Sequence, residues 1–330
     1  MMEMKTNTKT ITMSQAIRDA LAEEMRKDEN VYLIGEDIGK FGGTYGVTRG
    51  LWDEFQDRIY ETPISEFAPA AMALGSAIRG KRPVMEVMFG DFFGYTYSPV
   101  LLDAAKSYYV TNGLAKAPVV YRAAQGGFVS SGAHHSNCIE GWINNHPGIY
   151  IVTPSTAKDA KGLLKAAIRD DNPVIFLEHK LQYAQRGEVP EGDYEIPLGK
   201  ADVVKEGKDI TVVAWQVMRN FVEKVIPDLE KEGISVELID PRTIRPFDYE
   251  TLNASVKKTG RLLIVHEHTK IGGVGESIAA NVQKDVWDFL RHPIEIMGQA
   301  EVTIPMGFEE RYIYPNSDEI ADKIRQMVND

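Results

Sequence analysis

The side chains best suited to chemistry lie in loops that directly follow predicted strands. Glu66 opens an alanine-rich helical stretch, and His134 and His135 lie in the Gly/Ser-rich loop 125–136. Doubly wound sheets bind their ligands in loops at the carboxyl ends of parallel strands. A carboxylate and an imidazole at such an edge could exchange protons with a ligand, because the pKa of an imidazole lies near neutrality.

Each of these residues also has a structural explanation. A carboxylate at the start of a helix is stabilised by the helix dipole, and a loop histidine can be an ordinary surface residue. Adjacent histidines point in different directions, and the sequence lacks the spacing of histidines or cysteines that is typical of zinc sites. The residues alone therefore leave both catalytic and structural roles open, and they disfavour a shared metal site.

Three further segments carry weaker signals. The glycine-rich loop 35–43 matches neither a Walker loop nor a dinucleotide-binding fingerprint. Segment 88–93 carries aromatic side chains that could pack in a core or present a flat face to a heterocycle. His266-Glu267-His268 ends a predicted strand, and we interpret these residues as structural or interfacial.

The elements that must position these residues alternate between short apolar strands and helices. This alternation predicts an α/β fold with two domains, each a mostly parallel sheet flanked by helices. A polar segment with prolines interrupts it, so we predict a first domain at 1–185, an interdomain segment at 186–206 and a second domain at 207–330. The predicted strands are 31–34, 83–88, 118–122, 148–152, 174–178, 210–214, 234–239, 262–266 and 294–297. The predicted helices start at Ser14 as N-cap and cover 66–79, 98–109, 156–169, 217–231, 247–258, 274–290 and 317–328.

Composition excludes several classes of function. A net charge of −11 over 330 residues argues against nucleic-acid binding, which requires basic patches to neutralise phosphates. Apolar runs are too short to cross a membrane, and residues 1–12 lack the apolar core of a secretory signal. One cysteine, Cys138, excludes an intramolecular disulfide, and a cytoplasmic location is expected.

Taken together, several motifs resemble one family. It is the β subunit of the thiamine-diphosphate-dependent first component of 2-oxo-acid dehydrogenase complexes, of the pyruvate, acetoin or branched-chain type. The resemblance runs colinearly through residues 10–328. The matching stretches are Ile34–Gly39, Thr62–Glu66, Phe89–Phe92, His134–Ser136, Pro154–Leu164, Asp171–Lys180, Asp240–Ile244 and Lys258–Leu262.

The resemblance implies a fold and a set of site residues. The fold would be a transketolase-like pyrimidine-binding domain followed by a transketolase C-terminal-like domain. Glu66 matches the glutamate that hydrogen-bonds the aminopyrimidine ring of thiamine diphosphate. Phe92 matches the aromatic position that stacks on this ring, and Ile64 and Met88 match positions that line the pocket. His135 matches the histidine that faces the substrate and the lipoyl group, with proton donation as its role.

The resemblance also implies partners. The sequence contains no Gly-Asp-Gly motif of the kind that holds Mg²⁺ in thiamine enzymes. The Mg²⁺ site is therefore expected on a separate α subunit, in an α₂β₂ tetramer that shares the cofactor. A lipoyl acyltransferase would accept the acyl group. Asp170 and Asn172 match a segment that holds K⁺ through backbone oxygens in some members.

Departures from the family pattern leave the substrate open. The sequence has Phe93-Gly94-Tyr95 where a Phe-Pro-Ala run is common, and His135-Ser136-Asn137 where His-Ser-Gln is common. Some runs lean towards the acetoin-type branch, and pyruvate and branched-chain 2-oxo acids remain open. Two other classes also stay open: a split transketolase-like enzyme with a non-lipoyl acceptor, and a non-catalytic assembly partner.

Overall fold

We describe a computed structural model of the chain over residues 7–330. Residues 1–6, which belong to the segment expected to lack a signal core, lie outside this range. The strands are β1 Thr8–Thr12, β2 Val31–Gly35, β3 Ile59–Glu61, β4 Arg82–Val87, β5 Val120–Gln125, β6 Tyr150–Val152, β7 Val174–His179, β8 Arg186–Pro190, β9 Asp202–Lys205, β10 Ile210–Ala214, β11 Val236–Asp240, β12 Thr243–Arg245, β13 Leu262–Thr269 and β14 Glu295–Gln299.

Helices separate most of these strands. They are α1 Met13–Lys27, α2 Leu51–Phe55, α3 Phe67–Ile78, α4 Ser107–Val110, α5 Glu140–Ile143, α6 Ala157–Arg169, α7 Gln216–Lys231, α8 Tyr249–Thr259, α9 Val274–Val286 and α10 Ser317–Asn329. Within residues 7–330, no helix is both long and apolar enough to span a lipid bilayer. The predicted α/β fold of mostly parallel sheets flanked by helices is confirmed.

The first compact unit contains the residues up to Gln125 and His146–Leu198. Its strands lie in the order β6-β7-β5-β4-β2-β3, and every pairing between them is parallel. All six residues of β5 and of β7 are buried, as expected for central strands that are covered on both faces. Helices α1 and α6 pack together and supply apolar side chains to the same core.

The second compact unit contains Gly126–Asn145 and Gly199–Asp330. Its strand order is β14-β13-β10-β11-β9, with β9 antiparallel to β11 and the other pairings parallel. Val212, Leu238 and Val265 are buried at the centre of its core. Residues 126–145 lie between β5 and β6 in the sequence, yet they fold with this C-terminal unit.

Some local predictions differ from the structure. Helix α1 is capped by Thr12 rather than Ser14, because Thr12 and Gln15 form a reciprocal capping box. The helix predicted at 98–109 consists of irregular helical turns, Ser98–Asp103 and Ala104–Lys106, that lead into the short α4. The segment 186–206, predicted to connect two domains, contains β8, which pairs with β1, and β9. The predicted ranges of the domains themselves stay a prediction.

Candidate cofactor site

Four predicted site residues lie in loops at one edge of the first sheet. Strands β2, β3 and β4 are parallel neighbours, so their carboxyl ends meet at this edge. The loop after β3 carries Ile64 and Glu66, and its Thr62 N–H donates to the carbonyl oxygen of Gly35 at 3.0 Å. Met88 directly follows β4, and Phe92 lies in the 3₁₀ segment Gly90–Thr96, which contacts α3. This edge therefore collects candidates that are far apart in sequence.

Glu66 is half-buried and directly precedes α3. A second carboxylate supports the same loop, because Oε1 of Glu36 accepts a hydrogen bond from the Ser65 N–H at 2.8 Å. Burial raises the pKa of Glu36, and the nearby charges of Glu66 and Asp37 add to the rise even though the Ser65 hydrogen bond opposes it. Glu36 thus retains a proton more easily than a fully solvated carboxylate does.

Aromatic side chains form a wall at the same edge. The half-buried Phe92 ring meets Phe89 edge-on at a centroid distance of 5.4 Å and lies tilted against Tyr95 at 6.1 Å. The ammonium group of Lys180 lies 5.7 Å from the centroid of the Phe89 ring. Ile64 is 85% exposed, which leaves an apolar side chain available at this edge. The arrangement suits a flat heterocycle with a hydrogen-bonding edge.

A buried ionic network that sequence reasoning missed lies within the sheet. Arg122 on β5, 2% exposed, binds Glu178 on β7 through two hydrogen bonds of 2.7 Å and Glu86 on β4 at 2.9 Å. Burial opposes the charge of Arg122, but the two carboxylates raise its pKa. The Tyr183 hydroxyl also donates to Glu178 at 2.7 Å. The sequence does offer a signal for this network, because each of the three strands has a pattern typical of a buried strand and still contains a charged residue.

The histidine candidates lie in the second compact unit, on the segment 126–145. His135 is half-buried, and its backbone N–H donates to the Gly132 carbonyl oxygen at 3.2 Å. His134, in contrast, is exposed. The two adjacent histidines thus differ in environment, as expected for neighbouring side chains on a loop. Ser136 is buried, and its hydroxyl has no hydrogen-bond partner in the part of the chain that the structure describes.

Comparison with known proteins identifies the family of this chain. The sequence pattern of the transketolase pyrimidine-binding domain matches residues 9–185, and that of the transketolase C-terminal domain matches residues 199–320. The chain is 42% identical over 325 residues to the pyruvate dehydrogenase E1 component subunit beta of Rhizobium meliloti (strain 1021), covering 98% of this chain and 71% of that one. It is 40% identical over 317 residues to the 2-oxoisovalerate dehydrogenase subunit beta of Bacillus subtilis (strain 168), covering 95% and 97%. The chain belongs to the family of transketolase-like 2-oxo-acid dehydrogenase β subunits.

A solved structure supports the fold of this β-subunit family member. A protein titled "Split gene transketolase, inactive beta4 tetramer" superposes with a TM-score of 0.78, covering 97% of this chain and 98% of that chain. The two sequences are 22% identical, so the likeness concerns the fold alone.

The residues present in this β-subunit family member fit one half of the cofactor expected for the family. The half-buried Glu66, the Phe92 wall and the exposed Ile64 offer an acid and apolar surfaces to an aminopyrimidine ring. The Thr62 hydroxyl at the same edge is buried without a hydrogen-bond partner among residues 7–330, so a donor or acceptor on a ligand could satisfy it.

The Mg²⁺ site is expected on a separate α subunit, and this stays a prediction. Over the described range, no group of three or more His, Cys, Asp or Glu side chains could hold a metal ion. Near the predicted K⁺ segment, the Arg82 guanidinium already donates to the carbonyl oxygens of Asp170 and Ile168 at 2.8 and 3.0 Å. Asn172 donates to the Asp170 carboxylate at 2.8 Å. The K⁺ site stays a prediction.

Proposed function

We propose that this chain is the β subunit of a thiamine-diphosphate-dependent 2-oxo-acid dehydrogenase, and that it supplies part of each active site. The observation that carries the proposal is the edge at the carboxyl ends of β2, β3 and β4. Its loops carry Glu66, whose neighbour Ser65 is bonded to Glu36, and the aromatic segment around Phe92. This edge offers the chemistry to bind a pyrimidine, while the chain lacks a Gly-Asp-Gly motif for Mg²⁺. Two relatives that match over nearly their whole length are named as β subunits of 2-oxo-acid dehydrogenases.

The proposed roles follow from the chemistry of the side chains. Thiamine diphosphate, when bound, supplies the nucleophilic carbon that permits cleavage of the bond next to a carbonyl group. Glu66 would hydrogen-bond a pyrimidine nitrogen and exchange a proton with it. Phe92, Ile64 and Met88 would orient the ring and exclude water. His135 would donate a proton during transfer of the acyl group to the lipoyl acceptor.

The partners are part of the proposal. An α subunit would bind Mg²⁺ and the diphosphate in an α₂β₂ tetramer, and a lipoyl acyltransferase would take the acyl group. We propose a 2-oxo acid as substrate, because relatives named for pyruvate and for 2-oxoisovalerate match at 42% and 40% identity. Acetoin, the third substrate type of the resembled family, should be assayed beside them. The expected location is the cytoplasm.

Calorimetric titration tests the shared site directly. Thiamine diphosphate with Mg²⁺ is titrated into this chain alone and into the chain co-purified with its α subunit. We expect heat of binding with the α subunit present and none with the chain alone. Tight binding to the chain alone would contradict the shared site, and an absence of binding in both samples would contradict the assignment of the cofactor.

A further inference from the structure

The segment that carries His135 has a strained backbone. Phe128 and Ser130, neither of them glycine, have φ values of +64° and +59°. L-residues rarely adopt such conformations, and they persist where surrounding contacts impose them. Contacts from the rest of the second compact unit must therefore fix this part of the segment.

Two buried carboxylates make those contacts on either side of Phe128. Oε1 of Glu267, on β13, accepts a hydrogen bond from the Gly127 N–H at 2.5 Å. Oε1 of Glu310, in the 3₁₀ turn Phe308–Tyr312, accepts one from the Ser130 N–H at 2.5 Å. The two glutamates are 5% and 2% exposed. Hydrogen bonds to an ionised carboxylate are shorter and stronger than neutral ones, so this pair holds the backbone firmly.

Aromatic packing reinforces this end of the segment. The Phe128 ring lies 4.7 Å from the Tyr314 ring and 5.4 Å from the Phe221 ring, between centroids. A Cβ at Gly127 would lie 2.4 Å from the Tyr314 hydroxyl oxygen, so the backbone here approaches that ring as closely as glycine allows.

The other end of the segment is held independently. The Trp215 indole N–H donates to Glu140 at 3.1 Å, and the Arg245 guanidinium donates to the carbonyl oxygen of Asn144. Helix α5 also packs closely on the turn before α9, because a Cβ at Gly141 would lie 3.0 Å from the Gly272 carbonyl oxygen. Both ends of the stretch 131–139, which carries His135, are therefore fixed.

Two buried carboxylates are a costly means of holding a loop. Burying a carboxylate costs free energy unless hydrogen bonds compensate it. Oε2 of Glu310 is buried and has no hydrogen-bond partner within the range that the structure describes, so this cost is only partly offset. A neutral acceptor could satisfy the Ser130 N–H at lower cost, which points to a requirement for a strong, directional contact at this position.

We propose that Glu267 and Glu310 are positioning residues for His135, fixing the backbone of the segment from which its imidazole acts. The inference rests on the proposed function of His135 in acyl transfer. It assigns to the C-terminal unit the task of holding this histidine. Neither glutamate needs to touch the substrate.

The test separates the two half-reactions in the α₂β₂ enzyme. Oxidative decarboxylation is followed with an artificial electron acceptor, and acyl transfer is followed with lipoyl domain as acceptor. Glu310→Ala and Glu267→Ala should lower acyl transfer by about 100-fold, the effect of displacing a catalytic group by roughly 1 Å, while decarboxylation stays within about twofold. Glu310→Gln keeps an acceptor oxygen for the Ser130 N–H but removes the charge, so its acyl-transfer rate should lie between those of Glu310→Ala and the wild type.

Hydrogen exchange supplies a readout that does not depend on catalysis. The amides of Gly127 and Ser130 should exchange faster in the alanine variants than in the wild type. Glu309→Ala is the matched control, because Glu309 is the exposed neighbour of Glu310 in the same turn and has the same charge. It should change neither exchange nor the rates. If an alanine variant fails to fold, the glutamine variant at the same position replaces it, and faster exchange at the bonded amide together with slower acyl transfer is still expected.

Two outcomes would overturn the proposal. In the first, exchange at the two amides accelerates while both half-reactions keep wild-type rates. In the second, both half-reactions fall equally. Failure of the proposed function of His135 is recognised separately, because wild-type acyl transfer in His135→Ala would refute it. The two carboxylate contacts of Glu267 and Glu310, which we call the clamp, would then have no catalytic purpose. The exchange data would then still report whether the carboxylates hold the segment.

Discussion

The two candidate catalytic side chains of this chain are held in place by different means. Glu66 follows the carboxyl end of a short strand in a regular parallel sheet, and the position of its loop follows from the order of the strands. His135 lies in the segment 126–145, which follows β5 in the sequence but folds with the second unit. The backbone of this segment is strained, and two carboxylates accept hydrogen bonds from its amides. A site on strand ends tolerates changes in neighbouring side chains, whereas a clamped loop depends on a few individual contacts.

Substitution of Glu66 should have the largest effect on activity. Glu66→Ala removes the proposed proton-exchanging group and should lower both half-reactions by at least about 100-fold, with little change in melting temperature. Steady-state assays of the α₂β₂ enzyme and a thermal melt measure the two quantities. Glu29→Ala, an exposed glutamate in the same unit, is the control. Wild-type turnover in Glu66→Ala would refute the cofactor assignment.

Substitution of His135 should affect one half-reaction more than the other. His135→Ala should slow acyl transfer by about 100-fold and decarboxylation far less, since the proton is proposed to be donated only in the transfer step. Single-turnover measurements with lipoyl domain separate the two. His134→Ala, which removes the exposed adjacent imidazole, should leave both rates unchanged. Equal losses in both steps would count against this division of roles.

In the first unit, substitutions in the buried ionic network should lower the free energy of unfolding more than substitutions of exposed ion pairs. Arg122→Met leaves Glu178 and Glu86 buried without their cation and should lower the free energy of unfolding by about 3–5 kcal/mol. Arg26→Met removes an exposed bidentate pair with Glu54 and should lower the free energy of unfolding far less, because solvent screens this pair. Denaturant unfolding of the two variants gives both values. Similar losses would show that burial does not govern these pairs.

The smallest effect should come from Glu36. The pKa of Glu36 is raised in the folded chain above the ordinary value of 4.5, so folding favours the protonated carboxyl group. The stability that this preference contributes is present at low pH and is lost as the pH rises through the folded pKa. Glu36→Gln keeps the acceptor for the Ser65 N–H without a charge. Its melting temperature should therefore exceed that of the wild type at pH 7 and match it at pH 4. A gain of equal size at both pH values would contradict this assignment.

Sequence reasoning predicts the first region far better than the second. Runs such as Val120–Gln125 and Val174–His179 are short and largely apolar, which identifies buried parallel strands. The membership of residues 126–145 in the second unit could not be predicted, because no local pattern shows which core a loop contacts. The sequence indicates only a structural or interfacial role for Glu267 within His266-Glu267-His268, and nothing in the sequence around Glu310 indicates its hydrogen bond.

The same limit explains the ionic network. A charged residue in an apolar strand predicts a partner but does not name it, and the strand order β4-β5-β7 that brings Glu86, Arg122 and Glu178 together was not predicted. The β1–β8 pairing was missed because its strands are short, partly exposed and more than 170 residues apart, as the Thr8 to Pro190 pairing shows. Contacts of long sequence separation are the ones that a local pattern cannot supply.

The clamp on the histidine segment also has a consequence for the order of folding. Its two carboxylates lie 140 and 180 residues beyond the amides that they bind. During synthesis, therefore, the segment emerges long before the turn that contains Glu310. Because closing such long loops is slow, we expect the segment to take its final conformation late, after the sheets have formed. A nascent or truncated chain would then have a well-formed first sheet and a His135 that still lacks a fixed place.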